Sequence, residues 1–228
     1  VFYDIGSNFG YFSLNMAARP GFRGRIHAFE PNPRAYADFT SFISQASMAE
    51  IVSAHGCALS DHQGNRHLRI DSAHTALAKL AEGGEGMSVD VETLDGLELP
   101  APHVLKVDVE GHELSVLRGG EEMLRRDRPA IVFESLRYGP LGRTFEIFDY
   151  LESLNYIFLV PAWYMEDDHA WFFDRVLTAP SANDKSYRLG LLPYEHYNRF
   201  LLNDNLNVLA WPRERVGVLA KIFDKVIE

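Results

Sequence analysis

The chain has 228 residues, 46% of them apolar and 24% charged, which suits one sizeable soluble core. Its formal net charge of -10 argues against nucleic acid as a partner, and no run of about eighteen apolar residues offers a membrane span. A lone cysteine, Cys57, excludes an intrachain disulfide and a cysteine-rich zinc site, and it fits a reducing, cytoplasmic setting.

Val1 already lies inside a strand pattern, so residues ahead of it are expected in the natural chain. "VFYDIG" reads as a short buried strand, Val1 to Ile5, and "YFSLNMAA" has helical spacing. "GRIHAFEP" is a second strand, 25 to 30, stopped by Pro31. "NPRAYADFTSFISQA" is a helix with Pro33 in its first turn, where a missing N–H costs nothing. "EIVSAHGCAL" reads as a third strand, and "SDHQGNRHLRI" as a turn into a hairpin strand. The stretch 72 to 86 reads as a mobile loop. "SVDVETL" alternates as a strand should, and "HVLKVDV", 103 to 109, is a fourth central strand. "HELSVLRGGEEMLRRD" reads as a helix, or as two helical segments meeting at Gly119–Gly120. "PAIVFES" is a fifth central strand, and 143 to 154 a helix. "YIFLVP" and "AWFFDRVLTA" form an edge hairpin, and "PYEHYNRFLL" a short late helix. Alternating strands and helices predict an α/β fold with a mostly parallel central sheet and an antiparallel edge hairpin. In such sheets ligands bind beyond the carboxyl ends of the strands.

Those strand ends carry the chemistry. After the first come Gly6, Ser7, Asn8, Phe9 and Gly10. A dinucleotide loop reads G-x-G-x-x-G, but Asn8 stands in place of the middle glycine, and no Walker lysine follows. Asp4 precedes the turn, and a carboxylate there suits a ligand with a donor or a positive charge. Glu30, in "FEPNP", can accept from both hydroxyls of a ribose, one to each oxygen. In "CALSD", backbone or Asp61 can meet an adenine amino group, though "SDHQG" is also good turn chemistry. A nucleoside in an acidic rather than phosphate-shaped cradle points to S-adenosylmethionine as cofactor. Its ammonium suits Asp4, and its carboxylate suits a helix start.

"FYDIGSNFGYFSL", "FEPNP", "ALSDHQGN", "LKVDVEGHELSVLRGG" and "PAIVFE" together make this chain resemble the FkbM family of S-adenosylmethionine-dependent methyltransferases. The pieces cover roughly residues 2 to 135, and "NVLAWP", 207 to 212, is similar to a short tail element of that family. The resemblance implies a class I methyltransferase (Rossmann-like) fold over a single domain, 1–228, with acceptor-side and edge elements after residue 136. It implies that the Asp4–Gly10 loop and Glu30 hold the cofactor. It also implies methyl transfer, commonly to oxygen of a sugar, polyketide or related product. Expected cofactor contacts are Asp4, Gly6, Ser7, Asn8, Gly10, Glu30, Pro31, Ala58, Leu59, Asp61 and Asp108.

An alcohol is a weak nucleophile, so a base or a metal is a natural aid. Candidate catalytic residues are His112, Asp108, Glu110 and Glu134, with Glu113 beside them. His112 is the expected base, because an imidazole titrates near neutral pH; the plain alternative is a helix-start residue bonded to a carboxylate. Asp108, Glu110 and Glu134 are alternatively ligands for Mg²⁺, which prefers carboxylate oxygens. Lys106 reads as a structural residue that snorkels or pairs with an acid. Arg137 and Tyr138 are candidates to grip an acceptor, and His169 sits in an expected hairpin turn. The expected partner is a small-molecule or glycan acceptor; nothing indicates an oligomer. N- or C-methylation, or a binding module without activity, are the rival readings.

Overall fold

The computed structural model of the protein describes residues 1–70, 78–81, 86–135, 141–165, 170–172, 187–195 and 206–222. The chain divides into two compact units, Val1–Phe133 and Glu134–Glu228.

In chain order the first unit carries β1 (Phe2–Ile5), α1 (Tyr11–Ala17), β2 (Ile26–Phe29), α2 (Pro33–Gln45), β3 (Val52–His55) and β4 (Ala58–Leu59). It continues with β5 (Gly64–Ile70), β6 (Ala78–Ala81), β7 (Met87–Glu92), β8 (Val104–Val107), α3 (Glu113–Arg118), α4 (Glu121–Asp127) and β9 (Ala130–Ser135). The central sheet is parallel throughout, in the order β9-β8-β1-β2-β3. All four residues of β1 and of β2 are buried, as expected for strands covered on both faces. The chain runs outward from β1 to β2 and β3, then returns to place β8 on the other side of β1. That reversal opens a crevice at the carboxyl ends of β1 and β8.

Apolar burial holds α2 against this sheet. Its buried stripe of Ala35, Phe39 and Ile43 recurs at helical spacing, and Phe39 and Ile43 join Phe2, Ile26, Ala28 and Val52 in one core cluster. Full burial of a ring such as Phe39, at 0% exposure, stabilises by about 1.5–3 kcal/mol. The helix starts where Asn32 accepts a hydrogen bond from the Arg34 amide, with Pro33 next in line. Between α3 and α4 the chain breaks at Gly119–Gly120, and Asp95 caps α4 from a distant loop by accepting from the Glu122 and Met123 amides.

Two sequence expectations change here. The third strand, read as one run through "EIVSAHGCAL", is two: β3 belongs to the central sheet, and β4 to a second sheet ordered β4-β7-β5-β6. The chain leaves the first sheet at Gly56, so Ala58 packs instead with Leu68, Val89 and Val91. Within the stretch expected to be a mobile loop, residues 78–81 form β6, antiparallel to β5. Residues 71–77 and 82–85 lie outside the described residues.

The second unit carries α5 (Leu141–Ser153), β10 (Tyr156–Met165), β11 (Ala170–Phe172), β12 (Tyr187–Pro193), β13 (Leu206–Pro212), a 3-10 turn (Arg213–Arg215) and α6 (Val216–Ile222). β10 pairs antiparallel with β11, β12 and β13. The expected hairpin is therefore present in β10 and β11, and β12 adds a strand that the sequence reading left unassigned. α5 packs on β10 through Phe148 against Phe158, ring centroids 4.8 Å apart. Most of the expected late helix, residues 196–202, lies outside the described residues, as do Arg137, Tyr138 and His169.

Candidate active site

Beyond the ends of β1, β2, β4 and β8 lies a cavity of about 280 Å³. That is near the lower end of small-ligand sites, on the order of 300–1,000 Å³. Its wall includes Gly6, Ser7 and Asn8 after β1, Glu30 and Pro31 after β2, Ala58 and Leu59 of β4, and Asp108, Glu110 and His112 after β8. These are ten of the residues expected from the sequence. Asp4, Gly10, Asp61 and Glu134 are not among the lining residues.

The glycine turn has a steric cause. Gly6 has φ +78, and a Cβ there would sit 1.9 Å from the Asp108 carbonyl oxygen. Gly10 has φ +79, and a Cβ there would meet the Phe39 ring at 1.9 Å. Both positions need glycine for backbone angle and for close approach. Asn8 also adopts positive φ, 49°, which asparagine tolerates better than most residues. The turn is thus pulled against β8 on one side and α2 on the other, and Gly10 shapes the site without lining it.

Glu30 is held in the cavity wall by two backbone amides. Its Oε2 accepts from the Asn8 amide at 2.7 Å and its Oε1 from the Asn32 amide at 2.8 Å. Burial pushes its carboxyl above the ordinary value, against the pull of those two amides. Each oxygen keeps a further lone pair for a ligand.

Asp4 lies behind the wall at 0% exposure. Its Oδ2 accepts from Ser13 Oγ at 2.7 Å, and its Oδ1 faces the Lys106 ammonium at 3.6 Å. Burial raises its carboxyl, while Lys106 and Ser13 oppose the rise. Lys106 also reaches Asp108 Oδ2 at 3.0 Å and lies over the Phe12 ring, 4.6 Å from its centroid. It lines the cavity, so it pairs with acids rather than snorkelling away. The signal was present in "LKVD": residues 106 and 108 share a face of an extended chain.

After β8 the chain turns through Glu110 and Gly111, both at positive φ. Glu113 fixes this turn, its Oε1 accepting from the Val109 and Gly111 amides at 3.1 Å each. Burial raises the Glu113 carboxyl, and its role is to brace the turn. His112, at the start of α3, places Nε2 2.9 Å from Ser60 Oγ. Burial lowers its imidazole, although the Asp61 charge opposes that. Ser60 Oγ lies 3.1 Å from Asp61 Oδ1, and the same oxygen is 2.6 Å from His62 Nδ1. Asp61 therefore faces this chain of side chains and does not line the cavity. Burial pushes its carboxyl up, but the bonds from His62 and Ser60 outweigh that and hold it below the ordinary value.

Sequence reasoning missed Tyr11, Phe12, Phe29, Cys57 and Leu68 as lining residues. Tyr11 and Phe12 are 70% and 51% exposed at the cavity, the most open of its aromatic residues named here. Burial, with Glu92 and Asp90 adding, pushes the Cys57 thiol up to about 11, so it acts as an apolar wall. Among the described residues no three His, Cys, Asp or Glu side chains gather as a metal-holding group, the arrangement that the alternative Mg²⁺ reading of Asp108, Glu110 and Glu134 called for. Glu134 is half-buried near the end of β9 and opens the second unit. Nor is any described helix long and apolar enough to cross a membrane.

Comparison with known proteins bears on this geometry. A hexuronic acid methyltransferase, AglP, of Haloferax volcanii is 33% identical, over 52% of this chain and 49% of that protein. "Methyltransferase 1" of Beauveria bassiana is 30% identical, over 51% of this chain and 56% of that one. The chain thus spans about half the length of the curated relatives it matches. The crystal structure of a methyltransferase FkbM from Methylobacillus flagellatus KT superposes with a TM-score of 0.50 at 18% identity, covering 69% of this chain and 38% of that one. That likeness is one of fold, the class I methyltransferase fold. The family model of the Methyltransferase FkbM domain matches residues 4–158, from the acid of β1 into β10. With more than half its length inside that match, this chain belongs to the FkbM methyltransferase family.

Proposed function

We propose that this chain is an S-adenosylmethionine-dependent methyltransferase that methylates a hydroxyl of a small-molecule or saccharide acceptor. The observation that carries the reading is Glu30: a buried carboxylate, braced by two backbone amides, with one lone pair of each oxygen left for a ribose diol. Phosphate is a poor fit to that acid, which favours a nucleoside lacking a pyrophosphate.

The rest of the wall suits the same ligand. Cys57, Ala58, Leu59 and Leu68 offer an apolar slot for a flat base. Asp4, Asp108 and Lys106 together carry more negative than positive charge beside the turn, which suits a cationic ligand. S-adenosylmethionine, when bound, supplies an electrophilic methyl on a positive sulfonium. This chain's residues bind the nucleoside, orient the acceptor and take up its proton. His112 holds the base role, with Asp108 and Glu110 at the same rim. Tyr11 and Phe12, the exposed aromatic residues of the cavity wall, suit the apolar side of a sugar. Similarity to the Haloferax hexuronic acid methyltransferase supports a saccharide acceptor.

The test is incubation with methyl-labelled S-adenosylmethionine and a panel of hexoses, hexuronic acids and their methyl glycosides. Products are read by mass spectrometry, and fragmentation places the label on an oxygen. Label on nitrogen or carbon, or NAD binding in place of S-adenosylhomocysteine, would overturn the proposal.

A further inference from the structure

Five side chains form one line of contacts: Arg66, His62, Asp61, Ser60 and His112. Each proton on this line can be placed by elimination, starting from the end that has no choice. A guanidinium only donates. Arg66 Nε lies 2.9 Å from His62 Nε2, and a second guanidinium nitrogen also meets that atom. His62 Nε2 is therefore an acceptor, and the ring carries its proton on Nδ1. A doubly protonated His62 would instead set two cations against each other. His62 Nδ1, 2.6 Å from Asp61 Oδ1, then donates to it.

A carboxylate only accepts. Ser60 has one hydroxyl proton, and at 3.1 Å from Asp61 Oδ1 it gives that proton to the acid. What remains for Ser60 Oγ toward His112 Nε2, at 2.9 Å, is to accept. The Nε2 of His112 thus carries a hydrogen, and the lone pair of the neutral ring lies on Nδ1. That nitrogen has no hydrogen-bond partner among the described residues, on a residue that lines the cavity.

We infer that Ser60, oriented by Asp61, locks His112 in the Nε2–H tautomer and so leaves Nδ1 as the atom that receives the acceptor's hydroxyl proton. The inference rests on the methyltransferase reading above and adds to it a positioning residue. The step balances by itself. The acceptor's O–H bond breaks and its electron pair stays on oxygen, while the Nδ1 lone pair forms the new N–H bond. The ring gains a positive charge, which the Ser60 hydroxyl dipole and the Asp61 carboxylate face in line.

The Ser60 backbone is held on both sides. It is 0% exposed, and its amide donates to the Glu92 carbonyl at 2.9 Å. Its own carbonyl oxygen fills the place of a Cβ at Gly119, 1.9 Å from where that atom would stand. The backbone thus sets the Ser60 Cβ beside His112, and the bond to Asp61 Oδ1 orients the hydroxyl. Serine next to aspartate in "CALSD" is also ordinary turn chemistry, which is why the sequence alone did not single Ser60 out.

The experiment is long-range ¹⁵N–¹H correlation NMR on histidine-labelled protein, with His112 assigned by its loss in His112→Gln. The spectra are taken above the pH at which the ring titrates. The expected wild-type pattern is a single tautomer with a bare Nδ1. Ser60→Ala should lose that pattern, the two nitrogens moving toward averaged shifts, while Ser60→Thr, which keeps the hydroxyl, should retain it. Asp61→Asn should weaken it. S-adenosylhomocysteine affinity of the two Ser60 variants should stay within about twofold, showing an intact fold and cofactor side. A protonated Nδ1 in the wild type, or an unchanged tautomer in Ser60→Ala, overturns the inference. Failure to bind S-adenosylhomocysteine or to transfer methyl would instead sink the methyltransferase reading, and it leaves the ring's proton state readable, so the two failures are told apart.

Discussion

Replacement of Glu30 tests the cofactor side most directly. Alanine removes both ligand acceptors and strands the Asn8 and Asn32 amides, which donate to Oε2 and Oε1 at 2.7 and 2.8 Å. A hydrogen bond to a charged group contributes about 1.5–3 kcal/mol, so two diol bonds at the lower figure total about 3 kcal/mol. At about 1.4 kcal/mol per tenfold, S-adenosylhomocysteine affinity should fall on the order of 100-fold. A buried amide left unpaired costs about 1–3 kcal/mol, so folding stability should fall as well, by about 2–6 kcal/mol for the pair. Glu30→Gln is the sharper probe, because its side chain brings one acceptor where two donors wait. Its NH₂ would face one backbone N–H, so it should lose part of the stability and most of the affinity. Isothermal titration with S-adenosylhomocysteine, beside denaturant unfolding, reads both quantities. A Glu30→Gln protein that binds as tightly as the parent and unfolds at the same denaturant concentration would refute the reasoning.

Because burial holds the Glu30 carboxyl above its ordinary value and the diol needs it ionised, S-adenosylhomocysteine affinity should weaken as pH falls through that raised value; a flat titration profile would speak against Glu30 as the ribose acceptor. Gly10→Ala should cost about 2–5 kcal/mol, from a strained positive φ and a collision with Phe39, and Phe39→Leu should recover part of it in a double-mutant cycle read by urea unfolding. Lys106→Met leaves Asp4 buried without its cation and should cost about 3–5 kcal/mol at neutral pH. Without Lys106 the Asp4 carboxyl rises further, so that loss should shrink as the solution is acidified and Asp4 takes a proton, a trend that stability curves at several pH values would show. Glu113→Gln keeps an oxygen for the Val109 and Gly111 amides and should be nearly neutral, whereas Glu113→Ala should lose about 1–3 kcal/mol; equal losses by thermal unfolding would contradict the bracing role.

Much of this molecule is written locally. Runs such as "FYDI" and "IHAF" are apolar enough to be buried on both faces, and Pro33, Asn32 and the Gly119–Gly120 pair mark helix limits at their own positions. That Glu30 and the Gly6–Gly10 turn stand at the carboxyl ends of the central strands was also legible, because those residues follow strands directly. Contacts between residues far apart along the chain were not. "EIVSAHGCAL" looks continuous to any local rule, yet its two halves join different sheets once Ala58 finds Val91. Lys106 reads as a strand residue until the start of α1 brings the Phe12 ring beneath it. Ser60 reads as a turn residue until His112, fifty-two positions along, comes within hydrogen-bond range. Backbone preference and hydrophobic period are properties of neighbours in the chain, so composition and order suffice to state them. A proton's location on an imidazole depends on which group the folded chain sets against each nitrogen, and only packing in three dimensions decides that.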